Sequence, residues 1–206
     1  ADFVEPANLG VVFAAETAKP GGGPLEGQLL PPPSVQDASR KMLQISATEG
    51  IFGVMKRAED GSLKVTWTPP AHVEASHIVT FAAIDPAEAG RVVGIASLPL
   101  ILTRSVSLKA PPDSAAELNV NGVRFGPTKA SPAGTVAFDV PVDPRTPSGQ
   151  LTTTTTLGRV ATRVVPLPVA PVATHIFLPT SATLVADPTH PIEVLVATLT
   201  AQGQPE

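Results

Sequence analysis

The chain has no cysteine, no tyrosine, a single tryptophan and only 4% aromatic residues among its 206. Without cysteine there is no disulfide, no thiolate metal site and no cysteine nucleophile. So few aromatics leave little material for a stacked face that would grip sugars or single-stranded nucleic acid. Charge is sparse as well: 16% of residues are charged, 14 Lys and Arg against 18 Asp and Glu, for a net of −4. No basic stripe is visible, which argues against nucleic acid as a partner.

Motifs of reactive chemistry are equally scarce. The histidines are His72, His77, His175 and His190, and none forms an HxH or HExxH pair. His72 and His77 read as solvated loop residues rather than metal ligands. Glu59, Asp60, Asp85, Glu88, Asp139 and Asp143 are scattered and make no calcium loop. There is no GxSxG elbow, P-loop or dinucleotide fingerprint. The expectation is a protein that is not an enzyme, with no catalytic, cofactor-binding or metal-binding residues. Residues 164–186 lack Lys, Arg, Asp and Glu and are long enough to span a membrane. Pro166, Pro168, Pro171 and Pro179 interrupt that run, so it reads as linker plus strand, and the chain as not membrane-spanning. No signal peptide is visible. The start at Ala1 reads either as a mature end left by a signal peptidase or as the edge of an expressed segment.

What is abundant is proline, 24 residues, with 16 glycines. Prolines this dense exclude a helical bundle. Between them recur short runs of period two. In Leu63-Lys64-Val65-Thr66-Trp67-Thr68, the residues Leu63, Val65 and Trp67 share one face, which marks a half-buried strand. Asp60-Gly61 precedes it as a turn, and Pro69-Pro70 ends it. Alternation makes Trp67 a core residue rather than an exposed anchor, and Phe81, in the apolar run 78–84, joins Leu63, Val65 and Trp67 in the expected core. Further strands are expected at 9–18, 42–47, 91–96, 135–140, 151–156 and 159–165. Residues 20–33 read as a Gly/Pro-rich loop, and 34–40 as a weak helical candidate. Asn121-Gly122 between Leu118 and Phe125 is a hairpin signal, because both turn positions need a positive φ. The threonines at 152–156 read as β-branched residues on an open sheet face. Regular short strands with turns between them suggest β-sandwiches.

Two segments are alike: Val-Val-Phe-Ala-Ala-Glu-Thr-Ala at 11–18 and Val-Leu-Val-Ala-Thr-Leu-Thr-Ala at 194–201. A repeat at this scale points to an array of similar modules. The pattern resembles bacterial Ig-like repeats of the invasin and intimin type. Ser46-Ala47-Thr48-Glu49-Gly50 matches their SAxxG strand, the run from Asp60-Gly61 to Pro69-Pro70 matches DGxxxVTxTPP, and Phe81-Ala82-Ala83 matches a closing FxA. The match covers 9–97; the insertion at 20–39 departs from the short loop of that pattern, and 104–170 is similar in style to small β modules between such repeats. The resemblance implies an Ig-like fold and a secreted, extracellular or periplasmic surface protein with structural or adhesive duty.

The resulting expectation is an all-β chain of tandem Ig-like β-sandwich modules: 1–103, then a small sandwich at 104–170, then linker and C-terminal strands at 171–206. The apolar stretch 98–102 is expected at the boundary between modules. In the C-terminal run, Ile192, Val194 and Val196 face one way and Leu195 and Leu199 the other, so the strand asks for burial on both sides. Three placements are open: packing within its own chain, the first part of a further module, or donation to an open sheet edge of a neighbouring copy. Donation would build a head-to-tail filament. Its partners would be other copies or adjacent surface modules. The alternative is an adhesin or ligand-binding module for a glycan or protein, with the long 20–39 loop as its feature.

Overall fold

In the computed structural model of the chain, the described residues are 7–8, 10–30, 43–59, 62–85, 91–169, 174–177 and 195–198. They form strands and no helix. In chain order these are β1 (Ala7–Asn8), β2 (Gly10–Phe13), β3 (Leu25–Leu30), β4 (Gln44–Ala47), β5 (Ile51–Phe52), β6 (Lys56–Arg57), β7 (Leu63–Thr68), β8 (His77–Asp85) and β9 (Arg91–Leu100). There follow β10 (Leu102–Lys109), β11 (Ala115–Val120), β12 (Val123–Lys129), β13 (Thr135–Val142), β14 (Ser148–Thr154), β15 (Val160–Pro166), β16 (Thr174–Phe177) and β17 (Leu195–Thr198). Among the described residues the chain is all-β, built of two-layered β-sandwich units and a C-terminal strand pair. One unit comprises Ala1–His72, Ile78–Leu100 and Val172–Glu206; the other comprises Val73–His77 and Ile101–Pro171.

The first unit has two layers. One sheet runs β1-β9-β8-β4; the other runs β2-β3-β7-β5, with β6 also on β7. Burial in β7 alternates with the pleat, so Leu63, Val65 and Trp67 point inward while Lys64 is exposed. Phe81 of β8 meets them from the opposite sheet. Its ring lies 5.3 Å from Trp67, 5.0 Å from Phe13 and 6.1 Å from Phe52. Offset and edge-on aromatic pairs of this kind add about 0.5–1.5 kcal/mol each beyond the area they bury. The Trp67 indole, wholly buried, donates its Nε1–H to the Glu49 carbonyl at 3.0 Å, so its one polar atom is satisfied. β8 is buried on both faces from Ile78 to Ile84, which explains its run of apolar residues interrupted only by Thr80.

One sequence expectation is corrected here. Residues 20–33 are not all loop: Leu25–Leu30 is β3, an inner strand that pairs antiparallel with both β2 and β7. Its sequence, Leu-Glu-Gly-Gln-Leu-Leu, has no β-branched residue, so local propensity hides a strand that tertiary pairing makes. The weak helical candidate at 34–40 lies outside the described residues.

The second unit packs the sheet β12-β11-β14-β15 over the pair β10-β13. β13 alternates exposed and buried at every position, sending Val136, Phe138, Val140 and Val142 inward. They meet Val106 of β10, Ala116, Leu118 and Val120 of β11, Leu151 of β14 and Val165 of β15 in one core. Each fully buried Val, Leu or Phe contributes about 1.5–3 kcal/mol relative to exposure. The β11–β12 hairpin turns at Asn121 (φ 50°) and Gly122 (φ 82°), the left-handed pair that an Asn-Gly turn requires. The short segment Val73–His77 is held to this unit by Ser76. Its Oγ accepts from Leu102 N at 2.8 Å, and Ser76 also bridges Val169.

Candidate interaction site

The C-terminal strand singled out in the sequence is described only in part. Leu195 and Val196 lie in β17; Ile192, Val194 and Leu199 lie outside the described residues. β17 pairs antiparallel with β16 in the register Thr174↔Thr198, His175↔Ala197, Ile176↔Val196 and Phe177↔Leu195. Among the described residues this pair is a sheet of two strands and no more. Each strand therefore has one edge whose backbone donors and acceptors meet no further strand of the described chain. A two-stranded sheet is marginal in water, and an open edge is a template for another strand.

Leu63, Val65, Trp67 and Phe81, placed in the core by sequence, are at most 5% exposed. They carry the sandwich and offer no surface. His72 is an exposed loop residue. His77, expected in a solvated loop, instead opens β8, half-buried, with Nδ1 2.9 Å from the Ala75 carbonyl oxygen. His175 is in β16, and His190 lies outside the described residues. No group of three His, Cys, Asp or Glu that could hold a metal occurs among the described residues.

Two features were not legible in the sequence. On the first unit, Phe13, Glu26, Gln28, Val54, Lys56 and Lys64 line a groove of about 600 Å³. Lys56 and Lys64 are register partners across β6 and β7, like charges side by side. Next to Lys56, Val54 and Met55 are 73% and 47% exposed. On the second unit, β15 is exposed at every residue but Val165. The sequence shows β-branched residues there, but cannot show that no strand of the described residues lies beyond them.

Ion pairs among the described residues are mostly exposed: Arg124 with Glu117 at 3.7 Å and Lys129 with Asp113 at 2.8 Å. Pairs of this kind stabilise by at most about 1 kcal/mol. Asp143 and Arg145 are better set. Asp143 Oδ1 accepts from both Arg145 N (2.9 Å) and Arg145 Nε (3.0 Å), and Oδ2 from Arg145 Nη2 at 2.7 Å, pinning the turn between β13 and β14. Burial raises the Asp143 carboxyl, but the hydrogen bonds and charge of Arg145 outweigh it and hold its pKa below the ordinary 3.8. No helix of the described residues is long and apolar enough to cross a membrane.

No family model matches the chain. No curated protein matches it either. Solved structures similar to it include the adhesin InvE of Yersinia pseudotuberculosis, at TM-score 0.31 and 10% identity, covering 79% of this chain and 61% of that one. InvD of the same organism is similar at TM-score 0.37 and 13% identity, covering 95% of this chain and 70% of that one. The chain thus spans 61% of the length of the InvE structure.

Proposed function

We propose that this protein is a non-enzymatic structural or interaction module of a bacterial cell surface, which associates with further copies or adjacent modules by strand addition at its C-terminal strand pair. The observation that carries this reading is the β16–β17 sheet, with four paired positions on each strand and no third strand among the described residues. Strands of four residues in a sheet of two bury too little to stand alone, so they gain most from a further strand. The run around β17 is apolar on both faces in the sequence, which a strand donor or acceptor needs and a solvated edge does not. Heterologous addition of this kind does not close and would extend into a filament. The surface setting rests on the resemblance of Ser46-Ala47-Thr48-Glu49-Gly50 and the run from Asp60 to Pro70 to invasin-type repeats.

The test is light scattering on size-exclusion fractions of the full chain and of Val194→Asp and Val196→Asp. The expected result is assembly beyond a dimer in the parent chain that both substitutions abolish while Trp67 fluorescence stays native. Assembly unchanged by both would remove the strand-addition reading.

A second reading, an adhesin or ligand-binding module, is favoured by the groove with Lys56 and Lys64 beside exposed Val54. Paired ammonium groups next to apolar surface suit an acidic ligand with an apolar body. Binding of the full chain to an acidic glycan or protein, lost in the Lys56→Ala, Lys64→Ala double variant, supports it; undiminished binding removes the groove.

A further inference from the structure

β15 ends the sheet β12-β11-β14-β15, and its outer side is open among the described residues. The opposite end strand, β12, carries Pro127, and its pairing with β11 shifts register between Ala116 and Leu118 of β11, devices that blunt an edge. β15 has neither before its last residue. It pairs with β14 without a break from Ser148↔Pro166 to Thr154↔Val160. Val160 and Val164 are 65% and 68% exposed.

The direction of its backbone follows from two bonds just beyond the strand. Thr155 N donates to Arg159 O at 2.9 Å, and Leu167 N donates to Pro147 O at 2.8 Å. Bonded residues alternate along an antiparallel pair. Arg159, Ala161, Arg163, Val165 and Leu167 therefore aim their N–H and C=O groups at β14. Val160, Thr162 and Val164 aim theirs at the open side. The same three side chains share one face, where Thr162 Oγ1 lies 3.1 Å from Thr152 Oγ1 of β14.

We infer that β15 is a self-pairing edge, on which two copies of this chain join antiparallel about a two-fold axis through Thr162. In that register Thr162 faces Thr162 of the other copy, and each Val160 faces a Val164. All three opposed pairs are of the kind that exchanges both backbone hydrogen bonds, so every outward donor and acceptor of these residues is met. Threonine and β-branched cross-strand pairs are favourable ones. Charge selects this register over its neighbours. Here Arg163 faces Ala161 and Arg159 faces Val165. A two-residue slide one way sets Arg163 opposite Arg159, and the other way opposite Arg163, and like charges directly opposite are destabilising. The Arg163 guanidinium is already engaged with the Lys109 carbonyl. One strand edge buries less than a standard interface, so the association is weak and concentration-dependent. The inference rests on the second unit alone and is independent of the C-terminal strand.

The absence of native cysteine makes the test clean. Opposed residues of a bonded antiparallel pair have Cα atoms about 5.5 Å apart, within reach of a disulfide. Under mild oxidation the full chain carrying Thr162→Cys should form a disulfide dimer, while Leu157→Cys, 84% exposed on the adjoining turn, should stay monomeric. In sedimentation equilibrium, Val160→Lys with Val164→Lys should weaken dimerisation by about tenfold or more, through two like-charge pairs. Val160→Lys with Val164→Glu should preserve it, since each lysine then faces a glutamate. Val194→Asp should leave all of these results unchanged. Equal crosslinking at both cysteine positions, none at 162, a Lys/Glu variant as weak as the Lys/Lys one, or loss of the crosslink in Val194→Asp would each overturn the inference.

Discussion

Gly50 sits where the turn after β4 crosses the edge of the only tryptophan, at φ +82°. A Cβ built there would collide with Trp67 Nε1 and approach Trp67 Cε2 and the Thr68 carbonyl oxygen, each at 2.6 Å. Neither neighbour can yield. The indole is wholly buried against Phe81 and Phe13, and the carbonyl belongs to the backbone of β7. The expected loss in Gly50→Ala has three parts. A left-handed φ costs a non-glycine residue about 1–2 kcal/mol. Overpacking costs about 1–3 kcal/mol. Displacing the indole from the Glu49 carbonyl gives up a hydrogen bond of about 1 kcal/mol. A smaller gain from the stiffer unfolded chain offsets about 0.4–1 kcal/mol. The net is about 2–5 kcal/mol. Urea unfolding followed by Trp67 fluorescence reads the first unit selectively, since the second has no tryptophan. Gly158→Ala is the control: φ is +77° but nothing lies within 4 Å, so only the backbone penalty of about 1–2 kcal/mol applies, and only to the second unit. A Gly50→Ala chain that loses less than about 1 kcal/mol would refute the packing argument.

Ser76→Ala should destabilise the second unit by about 0.5–1.5 kcal/mol in far-UV circular dichroism melts, because it removes the hydrogen-bond partner of the half-buried Leu102 N–H. Thr80→Val should leave the first unit as stable or raise it by up to about 1 kcal/mol, since Thr80 Oγ1 is buried with no hydrogen-bond partner among the described residues. Asp143→Asn should lower the stability of the second unit at neutral pH. The folded pKa of Asp143 is depressed, so its contribution is full above 3.8 and is lost as pH falls through the folded value. The difference between variant and parent should therefore shrink as pH falls from 3.8 and vanish only beneath the lower folded value, and a difference that does not shrink on acidification would contradict the pairing.

The fold class was legible because strands with one wet face write their period into the chain. Burial in β7 and β13 follows the alternation seen in their sequences. The Asn121-Gly122 turn was legible for a similar reason, since few residues tolerate its φ values. β3 was hidden because pairing on both sides, not propensity, makes it a strand. β5 and β6, two residues each, are too short to carry any period. The candidate sites were less legible still. That Leu195 and Val196 belong to a strand can be read from their apolar run. That β17 has a single partner among the described residues cannot. The same holds for Val160, Thr162 and Val164, whose interest lies in the strand edge left open beside them among the described residues. Lys56 and Lys64 become neighbours only through the β6–β7 register.

The central claim, association by strand addition at the C-terminal pair, is tested most directly by light scattering across a concentration series of the full chain beside Val196→Asp. The expected result is a mass that grows with concentration beyond a dimer in the parent and not in the variant. A mass that stays at 21.1 kDa at every concentration, or growth identical in both chains, would contradict it.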